Sequence, residues 1–282
     1  MSKKIRGQCL IIDNEKFIND ILPFREGSKI DSNNLDILFE QLGFRVTLRR
    51  NLNYNDMMRT INNFSDLLDH SDAQMCGEFT CKIFLKKRVT LRIFLFLFLV
   101  VIILSHGEDG GLIYASDGRE VSTEYLLRRF NNDSCQPLKG KPKFFVFQAC
   151  RGEDVDYGTI PELERTDSRV CIDQHDAKSF SKPVTTIAKD PSWEDMVILF
   201  ATVPGFVANR NLYRGTWLIE CLCFVFMNHA KDMDLRDMLD EVAKRLRDYE
   251  SEQGFKQSCS YESRHFYNKL FFNPGIAIDD KD

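Results

Sequence analysis

Two short apolar runs, each followed directly by a polar motif, constrain this chain more than any other feature. VVIIL at 100–104 runs into SHGEDG at 105–110, and KFFVF at 143–147 runs into QACRG at 148–152. Runs that are apolar on both faces are typical of parallel strands covered by helices on each side. Ligand sites in such sheets lie beyond the carboxyl ends of the strands. The two motifs are therefore predicted to meet at one sheet edge.

The rest of the chain alternates between strand and helix patterns. The predicted strands are 8–12, 44–48, 100–104, 143–147, 196–201 and 266–272, and the predicted helices are 31–42, 54–69, 122–130, 216–229 and 234–250. We expect Asp31 or Ser32 to cap the first helix and Gly43 to end it. This order predicts an α/β fold, with a mostly parallel sheet of about six strands and helices on both faces.

Composition narrows the class of function. The net charge of −4 leaves no basic footprint for a nucleic-acid partner. The nine cysteines include no paired CxxC spacing for zinc, so we expect neither a metal nor a cofactor. MSKKIR leads straight into the first strand without a signal peptide, which favours reduced thiols and a cytoplasmic location.

Cys150 and His106 are the residues best placed for chemistry. Each follows a predicted core strand, and Gly107 and Gly152 beside them allow the backbone to approach a substrate closely. A thiol needs a neighbouring base to attack an amide, so Cys150 is the candidate nucleophile and His106 its base. The amides of Gly107 and Cys150 could stabilise the oxyanion. From these residues alone, a buried cysteine and a structural histidine remain an alternative.

The two motifs resemble those of one peptidase family. QACRG resembles the nucleophile pentapeptide of caspases, whose histidine lies about 50 residues upstream. SHGEDG resembles the caspase histidine motif, and His106 lies 44 residues before Cys150. The resemblance runs from the first predicted strand to the last. It implies a caspase-like three-layer sandwich and a thiol protease that cuts after aspartate in apoptosis, in an executioner-like form of an insect or other invertebrate with a short prodomain.

The resemblance also implies a pocket for the substrate aspartate. PFREGS at 23–28 and NRN at 209–211 look like the caspase segments that carry the two pocket arginines. The implied pocket residues are Arg25, Gln148 and Arg210, the implied substrate-binding edge includes Ala208 and Asn209, and the implied partner of His106 is the carbonyl of Pro23. Guanidinium groups suit this task because they bind a carboxylate bidentately.

Residues 153–192 are rich in acidic and small polar residues and read as an exposed linker. The resemblance implies one caspase domain that is cut there into a large subunit, 1–167, and a small subunit, 168–282. Asp167 is the favoured cleavage site of the zymogen and Asp176 the second candidate. The implied assembly is a homodimer of large and small subunit pairs. The implied partners are proteins with exposed aspartates, an upstream initiator caspase and inhibitor-of-apoptosis proteins, with no nucleic acid and no membrane.

Two features depart from the family pattern. Asn209 stands where caspases usually carry a large aromatic residue. Residues 77–99 have no counterpart in the family, and three interpretations compete. The apolar run Ile93–Leu104 is shorter than the about 20 residues of a transmembrane helix. A family-specific insertion is the second interpretation. A retained, translated intron is favoured, because the Phe-Leu alternation at 94–99 is what a pyrimidine-rich tract encodes.

A non-enzymatic function is the alternative to a protease. The insert precedes the strand that leads to His106, so its presence could impair catalysis. The chain would then be a caspase homologue that binds and regulates a partner caspase. Both candidate catalytic residues are present, which favours the enzyme.

Overall fold

The computed structural model describes residues 5–71, 98–158 and 191–272. Most of the predicted insert and both candidate cleavage sites, Asp167 and Asp176, lie outside these residues. Within them, the main sheet has six strands: β1 (Gly7–Asp13), β2 (Phe44–Arg50), β3 (Phe98–Leu104), β7 (Lys143–Gln148), β8 (Met196–Phe200) and β11 (Ser260–Arg264). Their order across the sheet is β11-β8-β7-β3-β1-β2.

All neighbouring strands of this sheet run parallel except β11, which is antiparallel to β8. Two small sheets lie outside it. One joins β4 (Gly107–Glu108), β5 (Leu112–Tyr114) and β6 (Glu120–Ser122), and the other joins β9 (Arg210–Asn211) and β10 (Gly215–Thr216). The predicted mostly parallel sheet of six strands is confirmed.

Successive side chains of the central strands point to opposite faces, and both faces are buried. One face includes Cys9, Ile11, Val100, Ile102, Phe144 and Val146. The other includes Leu10, Ile12, Val101, Ile103, Phe145 and Phe147. This is why the strands read as continuous apolar runs rather than as alternating patterns.

Helices cover each face of the sheet. Side chains of α1 (Ser28–Gln41), α4 (Trp217–His229) and α5 (Leu235–Arg247) pack on the first face. Those of α2 (Tyr54–Ser71) and α3 (Thr123–Arg128) pack on the second. The three-layer arrangement predicted from the sequence is confirmed.

The first helix begins earlier than predicted. Gly27, with φ +84°, is its N-cap, and Asp31 and Ser32 lie inside the helix rather than at its cap. The predicted end is close to the observed one, since Gly43 follows the helix with φ +89° and donates to the carbonyl of Glu40. The cap prediction was wrong because the Asp31 carboxylate bonds to a distant segment of the chain.

The last predicted strand, 266–272, is wrong. This segment is apolar because Phe266 and Phe272 pack in the core, and within the described residues its strand pairing is limited to an isolated bridge between Phe271 and Asp234. The true strand, SYESR at 260–264, is half exposed along the edge of the sheet. An edge strand with a solvent-facing side carries no apolar run, so the sequence pattern did not reveal it.

The third strand also begins earlier than predicted. Phe98 and Leu99 pair with Gly7 and Gln8 of β1 and are buried. They belong to the sheet, although the sequence placed them in the insert. The predicted insert therefore ends before Phe98 rather than at residue 99.

Candidate active site

The register of two neighbouring strands places His106 and Cys150 level with each other. Leu104 of β3 pairs with Gln148 of β7, and the amide of Ser105 donates to the Gln148 carbonyl at 3.1 Å. His106 and Cys150 each lie two residues beyond this pair. They leave the same sheet edge together, as the two motifs predicted.

The ring of His106 is oriented by the carbonyl of Pro23. Nε2 lies 2.8 Å from that oxygen, and a carbonyl only accepts, so Nε2 carries the proton. Nδ1 then keeps a lone pair and can act as a base. The ring of Phe17 packs on the imidazole with centroids 5.1 Å apart. Burial is the main cause that lowers the pKa of His106, and Arg25 and Arg210 lower it further against the opposing effect of the Pro23 bond.

The thiol of Cys150 is half-buried and faces the predicted substrate-binding edge. Its Sγ accepts a hydrogen bond from the amide of Ala208 at 3.4 Å. Among the described residues, no hydrogen bond joins this sulfur to the His106 ring. The ring and the thiol therefore share one sheet edge without a direct bond.

Gly107 is required by the close approach of the segments that carry His106 and Cys150. A Cβ on Gly107 would lie 2.6 Å from the carbonyl oxygen of Cys150 and 2.8 Å from the Cβ of Ala149. Gly152 is required in the same way, because a Cβ there would lie 2.2 Å from the Gly205 carbonyl oxygen. Both glycines thus serve packing within the protein itself.

Hydrogen bonds hold the loop after Cys150 against the segment 203–208. Arg151 donates to Phe206 O at 3.0 Å and accepts from the amide of Gly205 at 2.7 Å. Asp154 donates to Gly205 O and accepts from the Val207 amide, both at 2.9 Å. These four backbone hydrogen bonds therefore fasten the loop after Cys150 to the predicted substrate-binding edge.

Arg25 is buried near His106 and Cys150, with 3% of its surface exposed. Its guanidinium donates to Ser28 Oγ at 2.7 Å and to the Asn14 carbonyl at 3.1 Å, and lies 3.5 Å from an Asp13 carboxylate oxygen. Burial, followed by the charge of Arg210, lowers its pKa to about 10. The positive charges of the two guanidinium groups repel each other. A carboxylate bound by both groups would therefore stabilise their charged forms.

Arg210 and Gln148 complete the predicted aspartate pocket. Arg210 lies on β9, and its pKa is lowered first by burial, while Asp31 and Cys150 are the largest charges that raise it. Gln148 is 2% exposed. Its Oε1 is a buried atom without a hydrogen-bond partner in the structure. An ionised carboxylate only accepts hydrogen bonds, so the amide nitrogen of Gln148, and not this oxygen, could bind a substrate aspartate.

Comparison with known proteins agrees with this geometry. The family model described as "Caspase domain" matches residues 6–84 and 98–271. The chain belongs to the caspase family. The chain is 33% identical over 248 residues to caspase-2 of Gallus gallus, covering 87% of this chain and 52% of that protein. It is 32% identical to cell death protein 3 of Caenorhabditis remanei, covering 95% of this chain and 50% of that protein.

A solved caspase has the same fold. The crystal structure of caspase-1 from Spodoptera frugiperda superposes with a TM-score of 0.74 and 28% identity, covering 98% of this chain and 93% of that one. Invertebrate caspases are thus among the similar proteins, as the sequence predicted. The chain spans about half the length of the two curated relatives named above.

The sequence predicted departures from the family pattern in two places. Of the predicted insert 77–99, the family model leaves only residues 85–97 unmatched, so the prediction is wrong for 77–84 and for 98–99. Asn209 directs its side-chain amide to the Lys256 carbonyl at 3.2 Å, and its backbone amide donates to Gln257 Oε1 at 2.6 Å. The asparagine therefore secures the segment before Arg210 to the chain at 256–257.

Sequence reasoning missed three residues around this site. Asp13 ends β1 at the same sheet edge and accepts from Ser28 Oγ at 2.5 Å beside Arg25. Phe17 packs on the His106 ring, and Asp31 lies buried near both arginines. Asp13 could have been found from its position directly after a core strand, as His106 was. The other two contacts carry no local signal.

No helix in the part of the chain that the structure describes combines the length and the apolar character needed to cross a bilayer. The same residues hold no group of three or more side chains suited to a metal ion.

Proposed function

We propose that this caspase is a cysteine endopeptidase that cleaves after aspartate and acts in apoptosis. The observation that carries the proposal is the level placement of His106 and Cys150 beside two arginines at one sheet edge. The similarity to caspase-2 of Gallus gallus and to cell death protein 3 of Caenorhabditis remanei supports the apoptotic setting.

Cys150 attacks the scissile carbonyl, and His106 takes the thiol proton at Nδ1 and returns it to the leaving amine. The Pro23 carbonyl oxygen lies 2.8 Å from His106 Nε2 and keeps that nitrogen protonated. The lowered pKa of His106 keeps the free base populated at neutral pH. The amides of Gly107 and Cys150 stabilise the oxyanion.

Selection of aspartate follows from the pocket. Arg25 and Arg210 supply two guanidinium groups, and Gln148 supplies a buried amide whose N–H groups can donate to the carboxylate. A substrate carboxylate offsets the mutual repulsion of the two arginines and accepts their hydrogen bonds. The segment at Ala208 and Asn209 pairs with the substrate backbone as an added strand. For that pairing, the Ala208 amide must leave Cys150 Sγ.

Activation and assembly follow the family. The zymogen is cut in the linker 153–192, at Asp167 or Asp176, into a large subunit, 1–167, and a small subunit, 168–282. The active form is a cytoplasmic homodimer of such pairs. Its protein partners are substrates with exposed aspartates, an initiator caspase and inhibitor-of-apoptosis proteins.

One assay tests the activity directly. The full chain and a variant lacking 77–97 are incubated with matched fluorogenic peptides that end in Asp, Asn or Arg. We expect cleavage of the Asp peptide alone, with loss of activity in Cys150→Ala. Equal cleavage of Asp and Asn peptides would refute the charged pocket. If neither form cleaves any peptide, the chain is better described as a regulator of another caspase. The hydrogen bond from the Ala208 amide to Cys150 Sγ is compatible with that function, because it occupies the candidate nucleophile.

The insert is proposed to be a translated intron. The family model leaves 85–97 unmatched, which agrees with foreign sequence there. Sequencing of spliced transcripts tests this. We expect messages without most of these codons, and a message that always keeps them would contradict the proposal.

A further inference from the structure

Asp31 joins the first helix to the hairpin that carries Arg210. It lies in the first turn of α1 with 1% of its surface exposed. Its Oδ1 and Oδ2 accept from the backbone amide of Thr216 at 2.9 and 3.1 Å. A carboxylate in the first helical turn ordinarily serves the helix's own amides. Here it serves an amide of another element.

The hairpin is shaped to receive this carboxylate. Gly215 has φ +88°, and a Cβ on it would lie 2.0 Å from Asp31 Oδ1. Only glycine allows both the backbone conformation and the close approach. The next residue, Thr216, pairs with Arg210 across β9 and β10. A shift of the Thr216 amide therefore moves the backbone of Arg210.

A second contact joins the same two segments. A Cβ on Gly27 would lie 3.1 Å from the Asn211 carbonyl oxygen and 3.3 Å from that of Leu212. The segment that carries Arg25 is thus seated on the hairpin that carries Arg210. Asp31 is also close enough to both arginines to raise their pKa values.

We propose that Asp31 is a positioning residue that sets the placement of Arg210 relative to Arg25, so that the two guanidinium groups take one carboxylate. The inference rests on the proposed aspartate pocket. The hydrogen bond between Asp31 and Thr216 fixes the distance between the two arginines of the pocket. The charge of Asp31 is not needed for this. Burying the Asp31 carboxyl group costs folding free energy. The hydrogen bonds from the Thr216 amide to its two oxygens offset part of that cost, and the same bonds order the binding site.

The test separates positioning from general stability. Asp31→Ala removes the acceptor, Asp31→Asn keeps one oxygen, and Glu40→Ala removes an exposed carboxylate from the same helix as a control. We expect Asp31→Ala to raise KM for the Asp peptide about tenfold with kcat within about threefold, while Asp31→Asn and Glu40→Ala stay within about threefold of the parent in both constants. A fall in melting temperature with unchanged KM would overturn the proposal. An Asp31→Asn variant as weak as Asp31→Ala would overturn it too.

Gly215→Ala in the parent chain keeps the proposal testable if Asp31→Ala does not fold. Its added Cβ should displace the Asp31 carboxylate and raise KM about tenfold, whereas Gly140→Ala, whose Cβ meets nothing within 4 Å at a φ of +68°, should leave KM within about threefold of the parent. An unchanged KM in Gly215→Ala would contradict the proposal. Amide exchange at Thr216 gives a readout free of catalysis, with faster exchange expected in Gly215→Ala than in Gly140→Ala. If the parent cleaves no Asp peptide, the proposed function fails, and this exchange still decides whether Asp31 holds the Thr216 amide.

Discussion

Replacing Gly107 by Ala tests whether the close approach of the two catalytic segments sets the rate. The new Cβ would meet the Cys150 carbonyl oxygen at 2.6 Å and the Ala149 Cβ and Leu112 carbonyl oxygen at 2.8 Å. Ordinary contact begins at 3.4 Å, so neighbours must move by about 0.6–0.8 Å against packed backbone, at a cost of about 1–3 kcal/mol. A displacement near 1 Å can cost about 100-fold in rate.

Gly110→Ala is the matched control in the same loop. A Cβ there meets nothing within 4 Å, and its φ of +72° alone costs about 1–2 kcal/mol. Both variants should therefore lose similar stability, measured by thermal unfolding. We expect kcat for the Asp peptide to fall about 30–100-fold in Gly107→Ala and less than about threefold in Gly110→Ala. A Gly107→Ala enzyme that keeps a third of the parent rate would refute the reasoning.

Three further outcomes follow from the structure. The acid limb of kcat/KM for the Asp peptide should lie below pH 6.5, because burial lowers the pKa of His106 from that value; a limb above it, in a pH–rate profile, would contradict the assigned environment. Burial raises the pKa of Asp31 to about 7, so the folded chain holds a proton that the unfolded chain releases near pH 4. The free energy of unfolding should therefore decrease between about pH 4 and pH 7, and urea titrations of Asp31→Asn should show a shallower decrease. Lys143→Met should lower the free energy of unfolding by about 3 kcal/mol, because the buried ammonium donates to three carbonyl oxygens at 2.9–3.0 Å; a melting temperature unchanged from the parent would show that those carbonyls find other donors.

The central strands and the catalytic pair could be predicted from local sequence. Strands buried on both faces read as apolar runs, and the residues directly after them lie at one edge of a parallel sheet. Cys150 and His106 were predicted on this ground, and the register of β3 and β7 places them level. Their chemical roles stay predictions until activity is measured.

The edge strand and the pocket supports could not be predicted in this way. Residues 260–264 are half exposed, so their pattern is polar, while 266–272 is apolar without being a strand. Asn209 was noted as a departure, but its bonds to the chain at 256–257 were visible only in the fold. In each case the burial of a residue depends on what packs over it from elsewhere.

Periodicity along the chain determined the fold class and the positions at which reactive groups leave the sheet, because burial repeats with the geometry of each strand and helix. The tertiary structure decided which polar groups meet across the site. Asp31 is a helix residue by sequence, and its partner Thr216 lies 185 positions away. No local pattern carries a contact of that separation, since it exists only once α1 and the hairpin of Arg210 are brought together on the sheet.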